Sequence, residues 1–533
     1  MKISRRGFVS ASLYAGAGLM LRPGGHFPVP PDPVYFRVNP FVTGHPDAVF
    51  VMRTNIDRKT DSTAIKNAGL IFGRSVFTLT ADPESGVPLS HKFVIKPNLT
   101  CRQSGRAEYT VERSMGIVTD VNFVEGIIES IRELGVQGSQ FYIREVNCSG
   151  DLDDGGYIAM AQRTGIDLRA DSTPALELSP DKVQWIDVPQ GVWFRKIPYL
   201  WPVNAPDTFL LNIAKFKAHS MGLTLCAKNL QGTVAMNYQA HCSYFGDSMP
   251  GVSSGHISPT AFEDIYNNYE RHVSQGIPRW KRPGFDGGLW QETWATRCLD
   301  NNSVTHAGLH IIEGIYGRDG DFMDGPGGNN LATDFMTNYI IFGMNQFYVD
   351  IIGHYLGGHE PGNFGLFHMA RERGMITTIN PAEIPLYEWN TLTDPAPVLA
   401  GNFQRYSLRT KYLRRDYDGQ NEEFWHLVDE PFYYTITGIE NPSPGQDGFY
   451  FSGCTPNPVR TSAVISFHLP VSADVSVEIL NSGGQVVETI IRGYLPAGDH
   501  AVDWNSSGCS SGLYLCRVAR NGSPGILKLL VSH

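Results

Sequence analysis

Short β-branched or aromatic runs alternate with amphipathic stretches from about residue 45 to 380, a pattern that predicts a mostly parallel sheet covered by helices, an α/β fold. The runs AVFVMR, KFVIKPN, QFYIREV, TFLLNIAKF, GLHIIEGIY and NYIIFGM read as its strands. Between the second and third, TDVNFVEGIIESIRELG sets Phe123, Val124, Ile127, Ile128, Ile131 and Leu134 on one helical stripe, with Thr119 or Asp120 as N-cap and Gly135 as the stop. A strand, helix, strand unit crosses over right-handedly and brings both carboxyl strand ends to one rim. Further helices are expected at AFEDIYNNYERHVSQ, GLWQETWATRCLDNN and QFYVDIIGHYLGG, the last ended by its paired glycines. The first two lie in an aromatic, Gly and Pro-rich stretch at about 236–305, read as an insertion that covers the rim.

Near residue 440 the period shortens. NPSPGQDGFYFSGCTPNPVR reads as a connector, with a linker at 441–453, and SAVISFHLP, DVSVEILN, QVVETIIRG, GDHAVDWN, GLYLCRVA and GILKLLVSH then follow at short spacing. They predict an antiparallel, immunoglobulin-like β-sandwich over 454–533, behind an α/β domain spanning 45–440.

With 533 residues the chain is too long for one core. A formal charge of -10 and a pI near 5.9 argue against nucleic acid as a partner, because a phosphate backbone needs a basic face. Eight cysteines include no CxxC pair, so neither an in-chain iron–sulfur cluster motif nor a zinc knuckle is present, and Cys509 and Cys516, flanking a turn, are the pair expected to form a bridge. The first 25 residues, MKISRRGFVSASLYAGAGLMLRPGG, join a basic start to an apolar stretch of about 13 residues, the architecture of an export signal rather than a membrane span. Arg5 and Arg6 within SRRGF resemble the twin-arginine signal, whose pathway carries folded proteins. No small-x-small cleavage site follows, which leaves a retained anchor open.

Against that acidic balance, polar groups cluster at the predicted strand ends: Lys96 and Asn98 in IKPNLT, Glu145 and Asn147 in REVN, Lys215, Lys217 and His219 in KFKAH, and Glu313 after LHII. On a parallel sheet these gather at one rim, where ligands bind. In KFKAH the polar residues alternate with Phe216 and Ala218, so the chain is expected to leave the sheet into a polar cavity. GLTLCAKNLQGT is expected to open a helix near Gly222 whose N-terminus joins the lysines in attracting a phosphate or carboxylate. Lys228 and Asn229 would then sit about two turns inside, with Gly232 where backbone passes close to another group. His354 and His359 are explained by a helix end. His306 and His310 flank a run that reads as strand, and DGDFMDGPGGNN superficially resembles a calcium loop but lacks glutamate at its twelfth position. No GxSxG, Walker, HExxH or GxGxxG motif stands in a confirming context.

The series KPNLT, TDVNFVEGIIESIRELG with REVN, LLNIAKFKAHSMGLTLCAKNLQGTVA, IIEGIYG with GPGG, and FGMNQFYVDIIGHYLGGHEP with the LFHMARERG helix resembles the bacterial and archaeal domain-of-unknown-function family 362, over about 45–380. The resemblance implies Lys96, Asn98, Asn212, Lys215, Lys217, His219, Lys228, Asn229, Gly232 and Asp350 as site residues. It departs in lacking the cysteine-rich segment of many members and in carrying Glu313 where aspartate is more usual. A looser similarity to nickel-pincer lactate-racemase-like proteins, on the order His219, Lys228, His241, implies a histidine pair, His219 and His241, at a metal. The tail, through TPNPVRTSAVISFHLP, LNSGGQVV, LPAGDHAVDWN and SGLYLCRV, resembles FlgD-like immunoglobulin-type modules and the C-terminal sorting domains of type IX secretion, which implies surface delivery.

Two functions are therefore carried forward. In the first, an exported enzyme, a metal-dependent isomerase or redox enzyme, uses His219, Lys228 and Glu145 as catalytic groups. Lys96, Asn98, Asn212, Lys215, Lys217, Asn229, Gly232, Glu313 and Asp350 bind a small anionic ligand or a transition-metal cofactor, nickel, zinc or iron. In the second, a non-catalytic surface protein uses the same pocket to bind a ligand. Both expect the export machinery as a partner, association with the cell envelope, and a location in the periplasm, at the surface or outside the cell.

Overall fold

The computed structural model describes residues 34–99, 115–146, 155–219, 222–238, 255–275, 277, 287–324, 331–391, 393–410, 432, 434, 449–481, 485–520 and 523–532. Arg5, Arg6, the rest of the expected signal, Asn147 and His241 lie outside the described residues.

The α/β part is built on one mixed, mostly parallel sheet. Its strands are β1 (Val49–Arg53), β2 (Lys92–Pro97), β3 (Phe141–Val146), β4 (Asp167–Asp171), β5 (Thr208–His219), β6 (Gly222–Thr224), β7 (Leu309–Asp324), β8 (Leu331–Gly343), β9 (Leu386–Trp389) and β10 (Ala396–Pro397). They lie in the order β10-β9-β1-β8-β7-β5-β2-β3-β4, with β6 folded back on β5. The run from β7 through β5, β2 and β3 to β4 is parallel, while β8 is antiparallel to both neighbours.

Helices cover both faces: α1 (Ser62–Val76), α2 (Val121–Glu133), α3 (Tyr157–Thr164), α4 (Cys226–Asn229), α5 (Ala261–Ser274), α6 (Gly287–Asn302), α7 (Gln346–Leu356) and α8 (Gly365–Glu372). Helix α2 is the one its stripe predicts: Asp120 caps it, accepting from Asn122 N, and Gly135 follows in the left-handed region at φ 107°. Helix α1, which the sequence reading did not identify, crosses α2 so closely that a Cβ on Gly69 would lie 2.2 Å from the Phe123 carbonyl oxygen. One core joins α1 and α2 to Phe93, Ile95, Leu211 and Ile213, and another joins Ala214, Phe216 and Ala218 to α6, α7 and α8. Alternate residues of β5 thus feed opposite layers.

Several expectations need correction. β5 does not leave the sheet at Lys215; it stays paired to His219 and turns back through β6, so residues 222–224 are strand rather than helix. The short helix α4 begins only at Cys226, placing Lys228 and Asn229 in its single turn. Of the calcium-like stretch, residues 319–324 are described and belong to strand β7, where Asp319 is engaged by Arg409 through Nε at 3.0 Å and Nη2 at 2.5 Å. Cys509 and Cys516 are not joined by a disulfide: both are free thiols, Cys516 buried in the sandwich core and Cys509 packed against it.

The tail forms strands β11 (Tyr450–Thr455), β12 (Ser462–Leu469), β13 (Ala473–Asn481), β14 (Val486–Leu495), β15 (Gly498–Asn505), β16 (Gly512–Arg520) and β17 (Ser523–Val531) in two antiparallel sheets, β11-β12-β15 and β14-β13-β16-β17. β11 lies partly inside the stretch read as linker. Residues such as Ile465, Phe467, Val477, Ile479, Trp504 and Val518 close the core between the sheets.

Candidate functional site

Lys96 is the next-to-last residue of β2 and pairs in parallel register with Asn212 of β5, so their side chains emerge on one face of the sheet. Lys96 is 1% exposed. Its ammonium donates to Glu145 Oε2 at 2.6 Å, to the Pro97 carbonyl at 2.5 Å and to Asn229 Oδ1 at 3.2 Å, which uses all three of its donor hydrogens. Glu145 also accepts from Leu99 N at 3.2 Å and Val146 N at 3.1 Å. Asn229 donates to the Lys96 carbonyl at 3.0 Å and to Asn212 Oδ1 at 2.8 Å, and Asn212 donates to the Cys226 carbonyl at 2.8 Å and to His310 Nδ1 at 3.0 Å. Burial drives His310 down to about 3, consistent with a neutral ring that accepts at Nδ1.

Gly232 closes this network. A Cβ there would sit 1.8 Å from Glu145 Oε1 and 2.6 Å from Lys96 Cε. The close approach expected at this glycine is therefore to the protein's own ion pair.

Asp350, from α7, accepts from Cys226 N at 2.7 Å and Ala227 N at 2.8 Å. The helix N-terminus expected to attract a ligand anion is thus capped by the chain's own carboxyl. Burial pushes Asp350 up to about 7, against the pull of those two backbone donors.

Lys215 sits on the opposite face, since it is out of phase with Asn212 along β5. It bonds Glu313 of the adjacent β7 at 2.9 and 2.7 Å, both side chains fully buried, and its ammonium lies 3.4 Å from the centre of the Tyr316 ring. Glu313 accepts in addition from Asp120 N at 3.1 Å and Ile315 N at 3.2 Å, and Tyr316 donates to Asp120 Oδ2 at 3.0 Å. Burial raises the Glu313 carboxyl, with Lys215 opposing. Lys217 and His219 continue along this face. Lys217 is register-matched to Arg318 of β7, and both are buried. Thr410 donates to the His219 carbonyl at 3.1 Å.

Asn98 stands between the two networks in sequence. Its backbone is fixed, N–H to Thr119 Oγ1 at 2.9 Å and carbonyl from Thr119 N at 2.9 Å, but its buried Oδ1 has no hydrogen-bond partner among the described residues. Lys228 is half-buried at the end of α4.

The expected residues therefore form two groups. Lys96, Glu145, Asn212, Asn229 and Gly232 meet on one face and connect through Cys226 to Asp350; Lys215 and Glu313 meet on the other, with Lys217 and His219 farther along the same strand. Lys96 and Lys215 are neutralised internally by glutamates, so the surplus of cations suspected from the sequence is smaller than it looks. Thr119 and Tyr316 were not foreseen as members, and His310 was given little weight. A phenol three residues beyond Glu313, and a threonine just ahead of a helix cap, were the available signals. Among the described residues no group of three or more His, Cys, Asp or Glu side chains gathers at metal-binding distance.

No curated protein matches the chain. A solved structure of PorZ, described as an essential bacterial surface component of the type-IX secretion system of Porphyromonas gingivalis, matches at 23% identity over 19% of this chain and 13% of that one, with a TM-score of 0.13. This chain spans only that small share of PorZ, and the likeness carries no weight here. Residues 94–354 match the family model of a domain of unknown function, DUF362, and residues 455–532 match that of the secretion system C-terminal sorting domain. The chain thus carries a DUF362 domain followed by a type IX secretion sorting domain, and is exported to the cell surface or the extracellular space.

Proposed function

We propose that the protein is a surface-delivered ligand-binding protein whose DUF362 domain takes a small anionic molecule at the carboxyl rim of its sheet. The observation that carries this reading is Asn98: a buried side-chain oxygen with no partner in the described structure, held on a backbone that cannot turn away. Orphaned buried acceptors are rare and costly, and a ligand hydroxyl or amide would satisfy this one. The Lys96–Glu145 pair fixes the backbone on both sides of it, Lys96 through the Pro97 carbonyl and Glu145 through Leu99 N. Lys217 and Arg318, register-matched on adjacent strands and both buried, bring two cationic side chains to the same end of the sheet.

Native mass spectrometry of protein purified from the surface fraction tests the reading. Bound small-molecule mass that disappears in Asn98→Leu supports it; mass equal to the bare chain in the wild type contradicts it.

A catalytic reading draws on one further observation. Lys215, Glu313, Asp120 and Tyr316 form a continuous chain of hydrogen-bonding acids and bases at the start of α2, in which burial favours the protonated form of Glu313. Recovery of the bound molecule chemically unchanged after prolonged incubation with the protein would rule this reading out.

A further inference from the structure

A cavity of about 310 Å3 lies among α5, α6 and α8, and none of its lining residues belongs to the rim networks. Its wall includes Arg271, His272, Thr296, Met369, Glu372 and Arg373. Each ring nitrogen of the buried His272 faces a carboxylate: Nδ1 lies 2.9 Å from Glu292 Oε1, and Nε2 lies 2.6 Å from Glu372 Oε2. Arg271 bonds the other oxygen of Glu372 at 2.6 Å. Arg373 places Nη1 2.7 Å from Asp300, a buried carboxylate that also accepts from Trp193 N at 2.7 Å and Phe194 N at 2.9 Å. The charged wall is therefore held in place by the protein itself.

Thr296 is the exception. Within the same helix Thr293 follows the usual habit and donates back to the Leu289 carbonyl at 2.9 Å. Thr296 is 1% exposed, and its hydroxyl has no partner among the described residues. A hydroxyl left unsatisfied in the wall of a cavity is a donor kept for something that enters it.

We propose that this cavity is a second binding site, for a short-chain carboxylate. An arginine fork matches a carboxylate in shape and charge, and the Thr296 hydroxyl adds a donor beside it. Met369 and Met375 offer an apolar surface for a short carbon chain. The lining already holds one carboxylate, that of Glu372, between Arg271 and His272. The volume sits at the small end of ligand cavities, which limits the occupant to a few carbons.

The test is calorimetric titration of the full chain with sodium butyrate and sodium succinate, with butylamine as the control for the carbon chain. Saturable binding of a carboxylate but not of the amine is expected. Thr296→Val, which keeps shape and removes the hydroxyl, should weaken it by roughly tenfold, the worth of one hydrogen bond to a charged group. Arg373→Met should abolish it, and Asn98→Leu at the sheet rim should leave it unchanged. No saturable binding by either acid, equal binding by the amine, or affinity unchanged in Thr296→Val overturns the proposal. Loss in Asn98→Leu alone would place the bound acid at the rim and overturn it equally.

Discussion

Lys96 Nζ lies 2.6 Å from Glu145 Oε2, with the two residues 1% and 2% exposed, directly under the bare backbone of Gly232. Three separated stretches of sequence, the ends of β2 and β3 and the turn after α4, are fixed to one another by this contact. A buried ion pair is costly to desolvate and stands only when its remaining hydrogen-bonding capacity is filled, as Asn229, Pro97, Leu99 and Val146 fill it here.

Removing one partner should therefore cost far more than removing both. Lys96→Met is expected to destabilise the α/β domain by about 3–5 kcal/mol, whereas Lys96→Met with Glu145→Leu should recover most of that loss. Urea unfolding of the two single variants and the double variant checks this; additive losses would mean that the pair is not coupled.

Gly232→Ala should cost roughly 1–3 kcal/mol, because the added methyl meets the Glu145 carboxylate and the Lys96 chain at once. The same unfolding measurement decides it, and an unchanged midpoint would show that the glycine is there for another reason.

Asp350 gives a pH signature. Its carboxyl titrates near 7 in the folded chain against 3.8 for the free group, so between those values the folded protein holds a proton that the unfolded chain has released. The contribution is fully present below about pH 4 and is lost as the pH rises towards 7, at up to about 1.4 kcal/mol per pH unit. The stability of the wild type relative to Asp350→Asn should fall between pH 5 and 7. A relative gain over that range would mean that the two backbone donors, rather than burial, control the group.

Much of the fold was legible in the sequence because its strands are apolar runs of ordinary length and α2 carries a clean stripe and cap. The site was legible only as a list. Lys215 and Lys217 alternate with Phe216 and Ala218, which identified a two-faced segment, but nothing local revealed that Glu313 would neutralise Lys215 from a strand almost a hundred residues away. For the same reason Lys96 and Lys215 were gathered into one rim site, although Asn212 and Lys215 are three apart along β5 and point to opposite faces. The β6 turn was missed because GLTL suits helix and strand alike, and pairing with Lys217 and His219 decides it.

Truncation before Phe449 should leave the α/β domain folded and undelivered, since the sandwich closes its own core and the sorting-domain match lies wholly within it. Cell fractionation with circular dichroism of the truncated chain checks both halves. Normal surface delivery, or loss of helical signal, would contradict the expectation.

Replacing Arg5 and Arg6 by lysine should hold the precursor in the cytoplasm if the twin-arginine route carries it. Unchanged export in a strain lacking that translocase would refute the route.

The most direct measurement is an electron-density map at the sheet rim of protein purified natively from the surface fraction. Density for a small bound molecule in contact with Asn98 Oδ1 is predicted. A rim in which Asn98 Oδ1 is satisfied by the chain itself, with no bound molecule beside it, would contradict the ligand-binding account.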